Sequence, residues 1–130
     1  METDPEAIVK TAYDEWNWYG TDAFARFLSD DVTVEDAPEL PDAGTWRGRD
    51  AVIERLDAVA ETVGGGWVDI RSVESVGSQV LVEMEWRLDD QREGVPIGEV
   101  FHLIALDRGK LTSIRVFESR REAESAATPD

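Results

Sequence analysis

Apolar residues along this chain change their spacing once, near its middle, and that change divides the fold. In the first half they recur every three or four residues. Ile8, Ala12, Trp16 and Tyr19 fall on one helical face, and Val9 and Tyr13 widen it. Thr3-Asp4-Pro5-Glu6 supplies a capping oxygen, an early proline and a first-turn acid, so a helix begins there. Gly20 stops it, and Thr21-Asp22 opens a short second helix carrying Phe24, Phe27 and Leu28. A strand follows over Val32 to Asp36, then a loop from Ala37 to Arg47 broken by Pro38, Pro41 and Gly44. A third helix, capped by Asp50, sets Val52, Ile53, Leu56, Val59, Ala60 and Val63 on one face and ends at Gly64-Gly65-Gly66.

Beyond those glycines the period is two. Trp67 to Val76, Gln79 to Leu88, Val95 to Asp107 and Lys110 to Ser119 read as four strands. Gly77-Ser78, Asp89 to Gly94 and Arg108-Gly109 provide the turns of an antiparallel meander. Helices followed by a meander predict an α+β fold: three N-terminal helices packed on a strongly curved antiparallel sheet, a cone with an internal pocket. Residues 1–119 form one expected domain, and residues 120–130 a polar tail that amounts at most to a frayed helical turn.

Strand parity then selects the residues that face the pocket. In the second meander strand Val80, Val82, Met84, Trp86 and Leu88 share a face, while Glu83, Glu85 and Arg87 point away. In the third, Val100, His102, Ile104 and Leu106 share one face, and Phe101, Leu103 and Ala105 the other. A strand apolar on both faces needs two covers, which predicts a homodimer through the convex side of the sheet.

Two polar side chains interrupt these apolar faces. Asp36 continues the face of Val32 and Val34, and His102 is the sole histidine. A carboxylate in an apolar pocket suits a general base, and an imidazole suits donation to an oxygen that gains charge. The structural alternatives are a strand-end carboxylate bonded to the following loop, and a core histidine held by a backbone carbonyl or by Asp36. Tyr13, Trp16, Met84, Trp86 and Val116 are candidate substrate contacts, with aromatic packing in the core as the alternative for the rings. Glu118 shares parity with Ile114 and Val116, at the pocket rim or as a solvated strand end.

Composition removes other classes of function. With 42% hydrophobic and 32% charged residues the chain has enough apolar surface for a core. Cysteine is absent, which excludes thiol chemistry, and a lone histidine leaves no metal-ligand cluster, so no metal or cofactor is expected. A formal charge of −16 opposes binding to nucleic acid or an anionic membrane. Lys10 and Lys110 are the only lysines, a balance that fits either a salt-rich cytoplasm or a GC-rich genome. No apolar run is long enough to cross a bilayer, and the start, Met1-Glu2-Thr3-Asp4-Pro5, lacks the pattern of a signal peptide, so a cytoplasmic location is the default.

Several segments together resemble the nuclear-transport-factor-2-like superfamily, which includes SnoaL-like cyclases and ketosteroid isomerases. Phe27-Leu28-Ser29-Asp30-Asp31-Val32-Thr33-Val34-Glu35-Asp36 is similar to the isomerase stretch around its general-base aspartate, which falls on Asp36. Trp46-Arg47-Gly48-Arg49-Asp50-Ala51-Val52 resembles the family's entry to its third helix, and Val82-Glu83-Met84-Glu85-Trp86 a pocket strand. Gly109-Lys110 with Leu111 to Phe117 resembles the closing strand. The resemblance implies a cofactor-independent isomerase, cyclase or dehydratase acting on a hydrophobic carbonyl or hydroxy compound, with Asp36 as base. His102 then takes the place of the isomerases' protonated aspartic acid, and Ala12 that of their tyrosine, with Tyr13 one position away. A non-catalytic module of the same fold, binding a small hydrophobic ligand or dimerising, is the other reading.

Overall fold

A computed structural model describes residues 4–39, 43–62, 67–88 and 95–127, with no account of the side chains of residues 62, 88 and 95–97. The expectations for Thr3, Pro41, Val63 to Gly66 and the turn Asp89 to Gly94 lie outside those residues. The elements run α1 (Pro5–Tyr19), α2 (Thr21–Ala25), β1 (Leu28–Glu35), β2 (Thr45–Arg47), α3 (Arg49–Thr62), β3 (Trp67–Val76), β4 (Gln79–Leu88), β5 (Val95–Asp107), β6 (Lys110–Phe117) and α4 (Arg120–Ala126).

Local signals explain most of these boundaries. Asp4 caps α1 by accepting from the Glu6 N–H at 3.1 Å, and Gly20, at φ 90°, ends it by donating to the Trp16 carbonyl. The β5–β6 turn puts Arg108 at φ 55° and Gly109 at φ 79°, the pair of positive angles that a two-residue hairpin requires. Asp50 stands inside the first turn of α3 rather than before it, because the chain enters the helix two residues earlier, from Gly48.

The sheet order is β2-β1-β6-β5-β4-β3. The expected meander is present, but the sheet as a whole is mixed, since β1 lies parallel to β6 with Val34 opposite Ile114. That pairing draws β1 back to Leu28, which pairs with Leu111, four residues before the expected start. The presumed loop Ala37 to Arg47 contains the short strand β2, antiparallel to β1. Register shifts in the β1–β6, β3–β4, β4–β5 and β5–β6 pairings bend the sheet, which is curved and does not close.

Both faces of the sheet are covered. Under α1, α2 and α3 the concave side buries Val9, Phe24, Val34, Val82, Met84 and Ile104. On the convex side Leu81, Phe101, Leu103 and Phe117 pack against Ala123, Ala126 and Ala127. The segment expected to be a polar tail is therefore helix α4, capped by the Ser119 hydroxyl and seated on the face that the homodimer expectation assigned to a second subunit. Arg120 tethers it to the sheet through Glu74 and Glu83 and pairs with Glu124 one turn along α4. The apolar contacts of α4 with the sheet come from alanines alone, so its charged composition hides its role. No helix among the described residues is long and apolar enough to cross a membrane.

Candidate active site

Asp36 leaves the end of β1 with its backbone N–H bonded to the Gly44 carbonyl at 3.0 Å, so the loop after it folds back beside β2. Its side chain is 4% exposed. The carboxylate faces Arg55 of α3, with Nη2 to Oδ2 at 2.7 Å and Nε to Oδ1 at 3.4 Å. The guanidinium carbon lies 4.3 Å from the centre of the Trp46 ring, a cation–π stack on its other side. A Cβ at residue 44 would come within 3.2 Å of that ring, so Gly44 lets the indole lie close to the backbone. A charge buried this deeply is costly unless it is compensated, and Arg55 compensates it.

His102 enters from β5, between Val82 of β4 and Val116 of β6. Its Nδ1 lies 2.8 Å from the hydroxyl of Tyr13, a residue with no exposed surface. Burial lowers the imidazole pKa to about 4 and raises that of the phenol, so both are neutral near pH 7. The phenolic hydrogen has no other acceptor among the described residues, so Tyr13 donates and Nδ1 accepts. The imidazole proton therefore resides on Nε2. That nitrogen has no partner among the described residues, yet no fully enclosed polar side-chain atom there lacks one. Nε2 thus borders open space.

That space is a small apolar cavity of about 60 Å³, walled by Trp16, Val34, Leu56, Val59, Trp86, Val100 and Val116. Asp36, Arg55 and His102 supply its polar groups. Its volume suits roughly two water molecules, far below the roughly 300–1,000 Å³ typical of a ligand pocket. A groove of about 260 Å³, lined by Trp67 and Thr21 among others, shares Trp16 and Trp86 with it. These two indoles stand edge to face with centres 6.4 Å apart and form the partition between cavity and groove.

The expected site residues separate accordingly. Asp36 and His102 share one cavity, with Trp16, Trp86 and Val116 on its walls. Tyr13 lies behind His102 instead of facing the cavity, because its hydroxyl is engaged with Nδ1. Met84 is packed in the core and is not part of the cavity wall. Glu118 is exposed, since β6 ends at Phe117 before the alternation reaches it. Arg55 and Trp46 escaped notice, although a signal existed. Arg55 sits three residues after Val52 and four before Val59, a guanidinium within the apolar stripe of α3. Among the described residues no group of three or more acidic or histidine side chains gathers as metal ligands would.

Four helices on a curved, open, mixed sheet, with a cavity between them, define a cystatin-like, nuclear-transport-factor-2-like protein. The SnoaL-like domain family model matches residues 9–114, and the chain belongs to that family. No protein of curated function matches significantly. A cystatin-like protein of unknown function from Xanthomonas campestris is similar in structure, with a TM-score of 0.72, 20% identity and coverage of 94% of this chain and 95% of its own. A candidate polyketide cyclase from Sinorhizobium meliloti gives a TM-score of 0.64 at 17% identity, over 85% of this chain and 93% of its own. A de novo designed protein with a curved β-sheet gives 0.67 at 19% identity, over 96% of each chain. At these identities the likeness is one of fold.

Proposed function

We propose that the protein catalyses cofactor-independent proton transfer on a hydrophobic carbonyl or hydroxy compound, as an isomerase, cyclase or dehydratase. The observation that carries this reading is one apolar cavity bordered by both a buried carboxylate and a neutral imidazole N–H. Asp36 takes a proton from the carbon beside the carbonyl. The C–H electron pair moves into a new C=C bond, and the carbonyl π pair moves onto oxygen. The Nε2–H of His102 donates a hydrogen bond to that oxygen, and Tyr13 holds the imidazole in the tautomer that permits it. For a β-hydroxy substrate, the enolate collapses to a conjugated enone as the C–OH bond breaks, and the departing hydroxyl takes the proton held by Asp36 and leaves as water. The candidate polyketide cyclase among the structural relatives is compatible with this chemistry.

The small cavity volume favours a second reading, a module that binds a small hydrophobic ligand without turning it over. Deuterium uptake from D2O separates the two. A panel of ketones and β-hydroxy ketones is incubated with wild type and with Asp36→Asn, and exchange or dehydration is followed by NMR. Turnover by wild type, reduced on the order of 10²–10⁴-fold in the variant, supports the enzyme. Equal rates in the two proteins remove Asp36 from the mechanism, and binding without exchange leaves the module.

A further inference from the structure

Among the described residues Arg55 is the one cation on the cavity wall, and its hydrogen-bond, ion-pair and ring partners are Asp36 and Trp46 alone. Nε and Nη2 face the carboxylate, which leaves Nη1 without a protein partner there. Its α3 neighbours Leu56 and Val59 are apolar and also line the cavity, so the guanidinium, 19% exposed, is the polar point of an otherwise apolar stretch of wall. Stacking on Trp46 holds its plane in place.

The charge balance of proton transfer gives this arrangement a second use. Before reaction Arg55 and Asp36 neutralise each other. Once Asp36 holds the substrate proton it is neutral, and the negative charge has moved to the substrate oxygen. A guanidinium fixed beside both then has one partner fewer in the protein and one more in the ligand. We infer that Arg55 is a further catalytic residue, the counter-ion that passes from the Asp36 carboxylate to the enolate oxygen, with Trp46 positioning it. The inference rests on the proposed proton-transfer site, and it names a cationic contribution that Asp36 and His102 alone do not supply. The enolate is then held by an N–H donor from β5 and a cation from α3. In a site shielded from water such fixed charge stabilises far more than it would in solution.

The test uses 1,3-cyclopentanedione, a small flat ring that is an enolate at neutral pH, titrated by calorimetry into four proteins. Asp36→Asn mimics the protonated carboxyl and frees the guanidinium. It is expected to bind the enolate at least ~30-fold tighter than wild type, whose Asp36 carboxylate repels it. Adding Arg55→Met to that variant should remove the gain, whereas adding Arg55→Lys should keep most of it. If the methionine protein fails to fold by circular dichroism, Arg55→Gln in the same background takes its place. Equal affinity with and without the cation overturns the role of Arg55 and leaves the Asp36–His102 site standing. Absence of binding by all the proteins overturns the site and the counter-ion together.

Discussion

The two faces of strands β4 to β6 are written in the same alternation and used in opposite ways. On the concave face Val82, Met84, Val100 and Ile104 surround polar groups that are few, buried and individually partnered: His102 with Tyr13, and Asp36 with Arg55. On the convex face Leu81, Phe101 and Leu103 surround no buried ionisable group among the described residues, and the charged side chains there, Glu83, Glu85, Arg87 and Arg115 among them, pair at partly exposed positions. Similar apolar packing thus encloses partnered polar groups on one side and seats a helix on the other. What differs is where charge is placed relative to water, since a buried ion must find a specific partner and an exposed one need not.

Substitutions on the two faces should therefore separate activity from stability. The largest contrast is expected from Asp36→Asn, which should lower turnover by on the order of 10²–10⁴-fold with the fold retained, as read by NMR exchange and circular dichroism. Leu103→Ala on the other face should leave the chemistry alone and cost about 2–5 kcal/mol in urea unfolding, because it opens a cavity at a fully buried site. If Leu103→Ala abolished turnover without loss of stability, the division between the faces would fail.

Acid should sharpen the same division. The folded-state pKa of His102 lies near 4, below the ordinary value of 6.5, so between those values the unfolded chain binds a proton that the folded chain excludes. Stability is then fully present above about pH 6.5 and is lost as pH falls towards 4, by roughly 3 kcal/mol at most. The His102→Gln variant should show less of this decline in thermal melts across that range. An unchanged profile in the variant would mean that other groups carry the acid sensitivity.

The smallest effect is expected at the convex edge. Arg120 is about one-third exposed, so each of its ion pairs is screened, and Arg120→Ala should cost no more than about 1 kcal/mol. Ala123→Asp, by contrast, places a charge against Leu103 and Phe101 and should lift α4 from the sheet. Sedimentation would then show association that depends on protein concentration, driven by the bared face. A variant that sedimented as wild type does, with α4 displaced, would show that this face needs no cover.

How far the sequence discloses these features depends on the distance between interacting residues. Strand parity in β4 and β5 is local, so the inward set containing His102 and the outward set containing Phe101 were both readable. The position of Asp36 after Val32 and Val34 was readable for the same reason. The parallel pairing of β1 with β6 joins residues about 80 positions apart, and nothing in either strand alone announces it. Arg55 stands out in the apolar stripe of α3, but its partner Asp36 lies 19 positions away and on another element, so the stripe alone does not name it. Helix α4 was obscured because a seven-residue segment rich in charge touches the sheet through alanines, whose small side chains give a weak periodic signal. Met84 and Glu118 show the limit of parity itself, which assigns a face but neither a depth along it nor the end of the strand.

The parallel β1–β6 pair has a consequence for how the molecule comes into being. A nascent chain released as far as Gly109 already contains Asp36, Arg55, Tyr13 and His102, but β1 has no neighbour there except three-residue β2. Closing a loop of that span is slow, and its entropic cost falls due before the strand contacts form. The hollow between acid and imidazole is accordingly among the later parts to mature, and it is completed by β6, the last strand among the described residues.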